Sequence, residues 1–208
     1  PLSKFGTSFK MSKNNGLPLI MKEAKNLKPI KYIEKKGSAQ CKSSIILAGM
    51  RTNGKTIIKA KKSRSHTKNL CKYLKFTLKV KNKKRFDLIE INKVKKINPI
   101  NYDVPSDISS AAFFLALTAL SKNSKLLIKN VNINPNRIGI VTIFRKMGIT
   151  INFKNKRIYK GEKIADIFTS SPKNIKPINC PINLNSSAID EFLVIFLTVA
   201  AKESISLM

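Results

Sequence analysis

Ser109-Ser110-Ala111-Ala112-Phe113-Phe114-Leu115-Ala116-Leu117 has no polar face once it is wound into a helix. A helix that is apolar all round is expected to be buried all round. Sheets must then cover it from outside. Ile189 to Ala201, beyond its first residues, reads the same way. So does Cys41-Lys42-Ser43-Ser44-Ile45-Ile46-Leu47-Ala48-Gly49-Met50, which reads as a third buried helix.

Working outward from these helices, the chain repeats itself with a period of about 70 residues, the mark of a stacked or duplicated unit. Lys55-Thr56-Ile57-Ile58-Lys59 corresponds to Lys125-Leu126-Leu127-Ile128-Lys129, and both read as strands. Lys202-Glu203-Ser204-Ile205-Ser206-Leu207 stands at the third such place and is expected to be a strand too. A second helix follows each strand, marked by Leu70 and Leu74 and by Ile140 and Phe144. Its end repeats as well: Leu2-Ser3-Lys4-Phe5-Gly6-Thr7-Ser8-Phe9 matches Phe144-Arg145-Lys146-Met147-Gly148-Ile149-Thr150-Ile151. Glycine there ends a helix before an alternating strand. The middle copy has Lys75 instead. Hairpin turns are expected at Asn14-Asn15-Gly16, Lys83-Lys84-Arg85 and Asn155-Lys156. The unit is therefore strand, helix, strand, helix and two strands. The chain opens inside a helix end and stops inside the expected strand, so it reads as an internal fragment of a longer protein.

The chain has 208 residues and is 42% hydrophobic, enough for a core. Its formal charge is +30, from 41 Lys+Arg against 11 Asp+Glu. That charge attracts polyanions and small anions alike. The Lys residues are dispersed among Asn and Ile along the whole chain, which reads as compositional bias and solvated surface. Cys41, Cys71 and Cys180 are widely spaced and show no paired metal spacing, which argues for a reducing compartment. No secretory pattern stands at Pro1. The longest apolar stretch, counted from Phe192 to Ala201, falls short of the about 20 residues a bilayer requires. The expectation is a soluble, cytoplasmic protein.

The chemistry is expected at the helix starts. Ser38-Ala39-Gln40, then Asp107 with Ser109 and Ser110, then Ser186-Ser187 with Asp190-Glu191 each precede an apolar run. Free backbone N–H groups and partial positive charge at such ends favour anions. Each is also an ordinary cap. Asp190 and Glu191 suit a helix's first turn through the dipole alone, or one of them faces a cleft as a general base. Adjacent residues point about 100° apart on a helix, so at most one faces a site. Ser63-Arg64-Ser65-His66-Thr67 lies between a strand and a second helix, where Arg64 suits a phosphate through its forked guanidinium. His66 is read as a structural or surface residue.

In order along the chain stand Leu27-Lys28-Pro29-Ile30 with Tyr32, Gly37-Ser38-Ala39-Gln40-Cys41-Lys42-Ser43, Leu47-Ala48-Gly49, and Ser63-Arg64-Ser65-His66-Thr67. There follow Val104-Pro105-Ser106-Asp107-Ile108-Ser109-Ser110-Ala111-Ala112-Phe113, Asn134-Pro135-Asn136-Arg137-Ile138-Gly139, Met147-Gly148, Gly161-Glu162 with Ala165-Asp166, and Ile189-Asp190-Glu191. As an ordered set over essentially the whole chain, these segments resemble the 5-enolpyruvylshikimate 3-phosphate synthase (3-phosphoshikimate 1-carboxyvinyltransferase) family. The resemblance implies an α/β (α+β) fold of repeated βαβαββ units, with buried helices and outer sheets in an inside-out barrel. Here the barrel is incomplete at both ends. It implies residues 1–103 as the later part of one domain and 104–208 as the beginning of the second domain's long segment.

The reaction the resemblance implies is transfer of the enolpyruvyl group of phosphoenolpyruvate to the 5-hydroxyl of shikimate 3-phosphate, with release of phosphate. Ser38, Ala39, Gln40, Ser63, Arg64 and Asp190 would contact shikimate 3-phosphate, Gln40 would also lie near phosphoenolpyruvate, and Asp190 would accept the proton. No metal or organic cofactor, no nucleic acid and no membrane are implied, and the full-length enzyme would be a monomer. The family usually has Gly where Ser106 stands, an acidic residue at Ser65, and Thr at Asn136 and Ile138. Ser106 is expected to strain the turn between domains. The family's amino-terminal Lys/Ser/Arg cluster, its Arg residues for phosphoenolpyruvate and its Lys-Glu-Ser-Asp-Arg segment lie outside these residues, so the fragment alone is expected to be inactive. The alternatives are an enolpyruvyl transferase acting on UDP-N-acetylglucosamine, or a basic nucleic-acid-binding module, which would show steep salt dependence.

Overall fold

The structure is a computed structural model that describes residues 1–11 and 17–206, with side chains described through 201. The chain divides into two compact units, Pro1–Ile100 and Asn101–Met208.

The first unit begins with a short 3-10 turn, Leu2–Phe5, and a hairpin of β1 (Ser8–Met11) with β2 (Leu19–Lys22). The expected turn at Asn14-Asn15-Gly16 lies outside the described residues. A complete copy of the expected unit follows. Its elements are β3 (Lys31–Glu34), α1 (Ala39–Gly49), β4 (Thr56–Lys61), α2 (His66–Tyr73), β5 (Leu78–Asn82) and β6 (Phe86–Ile91). They form a sheet in the order β3-β4-β6-β5. β3 runs parallel to β4, with Glu34 opposite Ala60, and β4 pairs antiparallel with β6. Period-two alternation on β6 buries Asp87, Ile89 and Ile91. Ile89 and Ile91 pack with Ile58 of β4, Ile45 and Ile46 of α1, and Phe5.

The second unit holds α3 (Ile108–Leu120), β7 (Lys125–Asn132), α4 (Gly139–Lys146), β8 (Thr150–Tyr159) and β9 (Glu162–Ser170). The sheet order is β7-β9-β8. The strand that should open this copy is reduced to one parallel bridge, Ser106 opposite Val131. Ser106 donates its N–H to the Asn130 carbonyl at 2.9 Å and accepts from the Asn132 N–H at 2.9 Å. It is not among the described residues with positive φ, so the expected strain at Ser106 is not found. A serine needs no special backbone where the chain is extended.

Further expectations are corrected. The turn after β8 is at Lys160-Gly161, both at positive φ, as a tight antiparallel turn demands. Asn155, expected in that turn, instead sits at φ 49° where the register slips between Lys154 and Arg157. The Asp166 carboxylate accepts from the Asn155 side chain at 2.7 Å and the Asn130 N–H at 2.9 Å, holding both bulges. Those bonds, the backbone one foremost, keep Asp166 below its ordinary pKa.

The segment 202–206 is not a strand. After a 3-10 turn, Ile182–Leu184, come α5 (Asn185–Ala188), a second 3-10 turn, Ile189–Glu191, and α6 (Phe192–Ser206). Ala200, Ala201, Lys202 and Glu203 are good helix formers and carry the ladder of α6 onward. The continuous helical run Ile182–Ala201 is 20 residues long, and by length and composition it suffices to cross a membrane. Counting only from Phe192 had made it too short.

The apolar helices are covered on one side, not all round. α3 buries Ile108, Ala111, Ala112, Leu115 and Ala116 against Val131, Ile140, Phe144 and Ile167. Its other side leaves Phe113 60% and Leu117 62% exposed, and α6 leaves Leu193 66% and Phe196 64% exposed. The β7-β9-β8 sheet packs against one side of α3, and one sheet covers one side of a cylinder.

Candidate functional site

The parallel pairing of β3 with β4 decides what comes together in the first unit. Parallel neighbours end at the same edge, so the loop into α1 and the loop into α2 leave the sheet side by side. Ser38-Ala39-Gln40 opens one helix and Ser63-Arg64 lies in the other loop. This is the crevice where open α/β sheets place ligands.

Local bonds fix both loops. The buried Glu34 carboxylate accepts the N–H groups of Lys36 and Gly37, each at 2.8 Å, and so shapes the lead-in to α1. Ser38 caps α1, its Oγ accepting the Cys41 N–H at 3.1 Å, as expected. Ser38 and Ala39 are partly buried and Gln40 is exposed. Lys42, one turn into α1, is only 1% exposed. Its ammonium donates to Ser63 Oγ at 2.6 Å and to the Ser63 carbonyl at 3.3 Å. Ser43 and Thr67 hydroxyls meet at 2.6 Å and join α1 to α2. Ser63, Arg64 and His66 are partly buried at this end.

The charges beneath are balanced. Lys68 of α2 pairs with Asp87 of β6, and both are buried. Burial, with the neighbouring Lys68 charge, lowers the Lys42 pKa to about 8, against the pull of Asp87 and Glu34. The loop therefore rests on a desolvated ammonium beside a helix N-terminus, an electropositive setting that suits an anion.

In the second unit the N-terminus of α3 and the turn before α6 converge on Arg137, from the loop between β7 and α4. Asp107 caps α3, its Oδ2 accepting the Ser110 N–H at 3.0 Å. Arg137 Nη2 donates to Asp107 Oδ1 at 3.0 Å and to Ser109 Oγ, while Nη1 donates to Asp190 Oδ2 at 3.3 Å. Of the adjacent acids, Glu191 is buried and accepts from the Ser109 hydroxyl, whereas Asp190 is exposed. Burial raises the Glu191 pKa, opposed by the Ser109 bond and the Arg137 charge. The helix start there is a 3-10 turn, and that turn sends the two neighbours apart.

Sequence reasoning named Ser38, Ala39, Gln40, Ser63, Arg64 and Asp190. It missed Lys42, Glu34 and Arg137 as site-forming residues. Lys42 had a signal, a charge inside an apolar helix. Arg137 had one too, as one of few Arg residues in a Lys-rich chain.

The sequence profile of EPSP synthase (3-phosphoshikimate 1-carboxyvinyltransferase) matches residues 1–207. The 3-phosphoshikimate 1-carboxyvinyltransferase of Legionella pneumophila (strain Corby) is 34% identical over 204 residues, 98% of this chain and 46% of that protein. That of Ruthia magnifica is 38% identical over the same shares. The chain thus spans about half the length of the curated relatives it matches. A solved EPSP synthase from Acinetobacter baumannii superposes with a TM-score of 0.80 at 33% identity, over 95% of this chain and 44% of that one. The enolpyruvyl transferase NikO from Streptomyces tendae superposes at 0.56 with 10% identity over 83% of this chain and 41% of that one, a likeness of fold alone. A profile match over essentially every residue establishes that the chain belongs to the EPSP synthase family.

Proposed function

We propose that the chain is the central part of an enzyme that transfers the enolpyruvyl group of phosphoenolpyruvate to the 5-hydroxyl of shikimate 3-phosphate and releases phosphate. Residues 1–103 supply the later part of one domain and 104–208 the beginning of the second domain's long segment. The observation that carries this reading is the shared sheet edge in the first unit, where the capped N-terminus of α1 lies beside the Ser63-Arg64 loop. Both substrates are anions, and this edge offers backbone N–H groups, two serine hydroxyls and a guanidinium.

Ser38, Ala39 and Gln40 contact shikimate 3-phosphate, with Gln40 also near phosphoenolpyruvate. Ser63 and Arg64 hold the shikimate phosphate, Ser63 backed by Lys42. Asp190, the exposed member of its pair, binds the substrate hydroxyls and accepts the proton. Segments outside these residues complete the phosphoenolpyruvate site, and the completed enzyme is a soluble, cytoplasmic monomer that needs no cofactor.

The test is phosphate release by the full-length protein given both substrates. The expected result is turnover that requires both, with none when UDP-N-acetylglucosamine replaces shikimate 3-phosphate. Absence of turnover with the authentic pair would overturn the reading. The 208-residue chain alone is expected to give none.

A further inference from the structure

Arg137 stands on a tightly tied turn. Asn134 donates its N–H to Asn132 Oδ1 at 2.9 Å, Asn136 to Asn134 Oδ1 at 3.1 Å, and Arg137 to the Asn134 carbonyl at 2.8 Å. The Asn132 amide donates to the buried Glu162 carboxylate at 3.0 Å, anchoring the turn to β9. Next along, Gly139 lies so close to α5 that an added Cβ would stand 2.5 Å from Ser187 Oγ and 2.8 Å from the Ala188 Cβ. The turn and the segment leading to Asp190 are thus held together at two places, by Arg137 and by that contact.

The guanidinium faces three carboxylates. Asp107 Oδ1 is at 3.0 Å, Asp190 Oδ2 at 3.3 Å and Glu191 Oε1 at 4.0 Å, with the Ser109 hydroxyl between. Arg137 keeps 12% of its side chain exposed and Glu191 keeps 2%, but Asp190 keeps 44%. One desolvated cation therefore meets three acids, of which Glu191 is buried while Asp107 and Asp190 face outward. A guanidinium can bond two segments at once in a fixed plane; an ammonium cannot reproduce that fork.

Resting on the reading of Asp190 as proton acceptor, we propose that Arg137 is a positioning residue: it fixes Asp190 Oδ2 and keeps that carboxylate turned outward for the substrate hydroxyl. Without it, the tie between the turn at 134–137 and Asp190 Oδ2 is lost.

The experiment compares Arg137→Gln and Arg137→Lys with the wild type in the full-length protein. It measures kcat and both KM values, with thermal unfolding alongside. In both variants kcat is expected to fall about 10- to 100-fold while each KM stays within about threefold. Arg137→Lys, which keeps one charge-assisted bond, is expected to lose less kcat than Arg137→Gln. Unchanged kcat in a folded variant overturns the proposal. So does a fall in kcat accompanied by a rise of more than about tenfold in both KM values, which is a structural role only. If Arg137→Gln does not fold, Arg137→Lys decides alone: a wild-type rate overturns the proposal, as does a general rise in both KM values, and a lowered kcat with both KM values within about threefold supports it. Asp190→Asn separates the two layers: wild-type turnover there overturns both the reading of Asp190 and this inference, whereas an inactive Asp190→Asn beside fully active Arg137 variants overturns this inference alone.

Discussion

Lys42 shows how one residue ties stability to the site. Its folded pKa of about 8 lies below the roughly 10.4 of an unfolded lysine, so the unfolded chain holds more protons between those values. Lys42 therefore makes stability rise with pH across that window, because deprotonation relieves a buried charge. Lys42→Met is expected to lose this increment, and thermal unfolding at pH 7 and pH 9 measures it: the wild type should gain more between the two than the variant. Lys42→Met also removes the donor to Ser63 at 2.6 Å. Arg64 carries the second prediction at this scale. Arg64→Lys keeps the charge and loses the fork, so the KM for shikimate 3-phosphate in the full-length protein is expected to rise about 10-fold, the worth of about 1.4 kcal/mol. An unchanged KM would remove Arg64 from the phosphate site.

Among the elements, the helix-ending position recurs with the same backbone and different residues. Gly6 has φ 106° and Gly148 φ 88°, and Lys75, which closes α2 in the middle copy, has φ 56°. A left-handed conformation costs a residue with a Cβ roughly 1–2 kcal/mol, less the entropy that glycine loses on folding. Lys75→Gly is therefore expected to stabilise the chain by about 0.5–1 kcal/mol, seen as a rise in Tm of about 2–4 °C. A fall in Tm would mean that the Lys75 side chain contributes more than its backbone strain. This repeat was legible in the sequence because the positional demand at a helix end is local. The Asn155 bulge was not. Asn suits both a hairpin turn and an isolated left-handed residue, and only the pairing of β8 with β9 selected the bulge.

At the scale of the whole molecule, the apolar faces of α3 and α6 govern association. Phe113, Phe114 and Leu117 of α3 and Leu193, Phe196 and Leu197 of α6 are all exposed. Exposed apolar surface of this kind binds hydrophobic dyes and drives association. The 208-residue chain is expected to bind 8-anilinonaphthalene-1-sulfonate strongly and to sediment above its monomer mass of 23.3 kDa. Phe113→Lys with Phe196→Lys should weaken both effects. A monodisperse, dye-silent wild-type chain would show that these faces are covered in solution.

The sequence by itself determined the apolar helices at their starts, one complete copy of the repeated unit, the Ser38 cap and the family. Each of these rests on local spacing or on an ordered set of short segments. It also limited Asp190 and Glu191 to at most one that faces a site, because neighbours on a helical turn diverge, and the resemblance named Asp190. The tertiary structure shows how the pair divides: Glu191 is buried and bonded to the Ser109 hydroxyl, while Asp190 is exposed. It decided as well that β3 and β4 run parallel, which sets Ser38 and Ser63 at one edge, and that Lys42 and Arg137 reach across from other elements. Those contacts span 21 residues in one case and 53 in the other, and no local pattern encodes a partner that far along the chain.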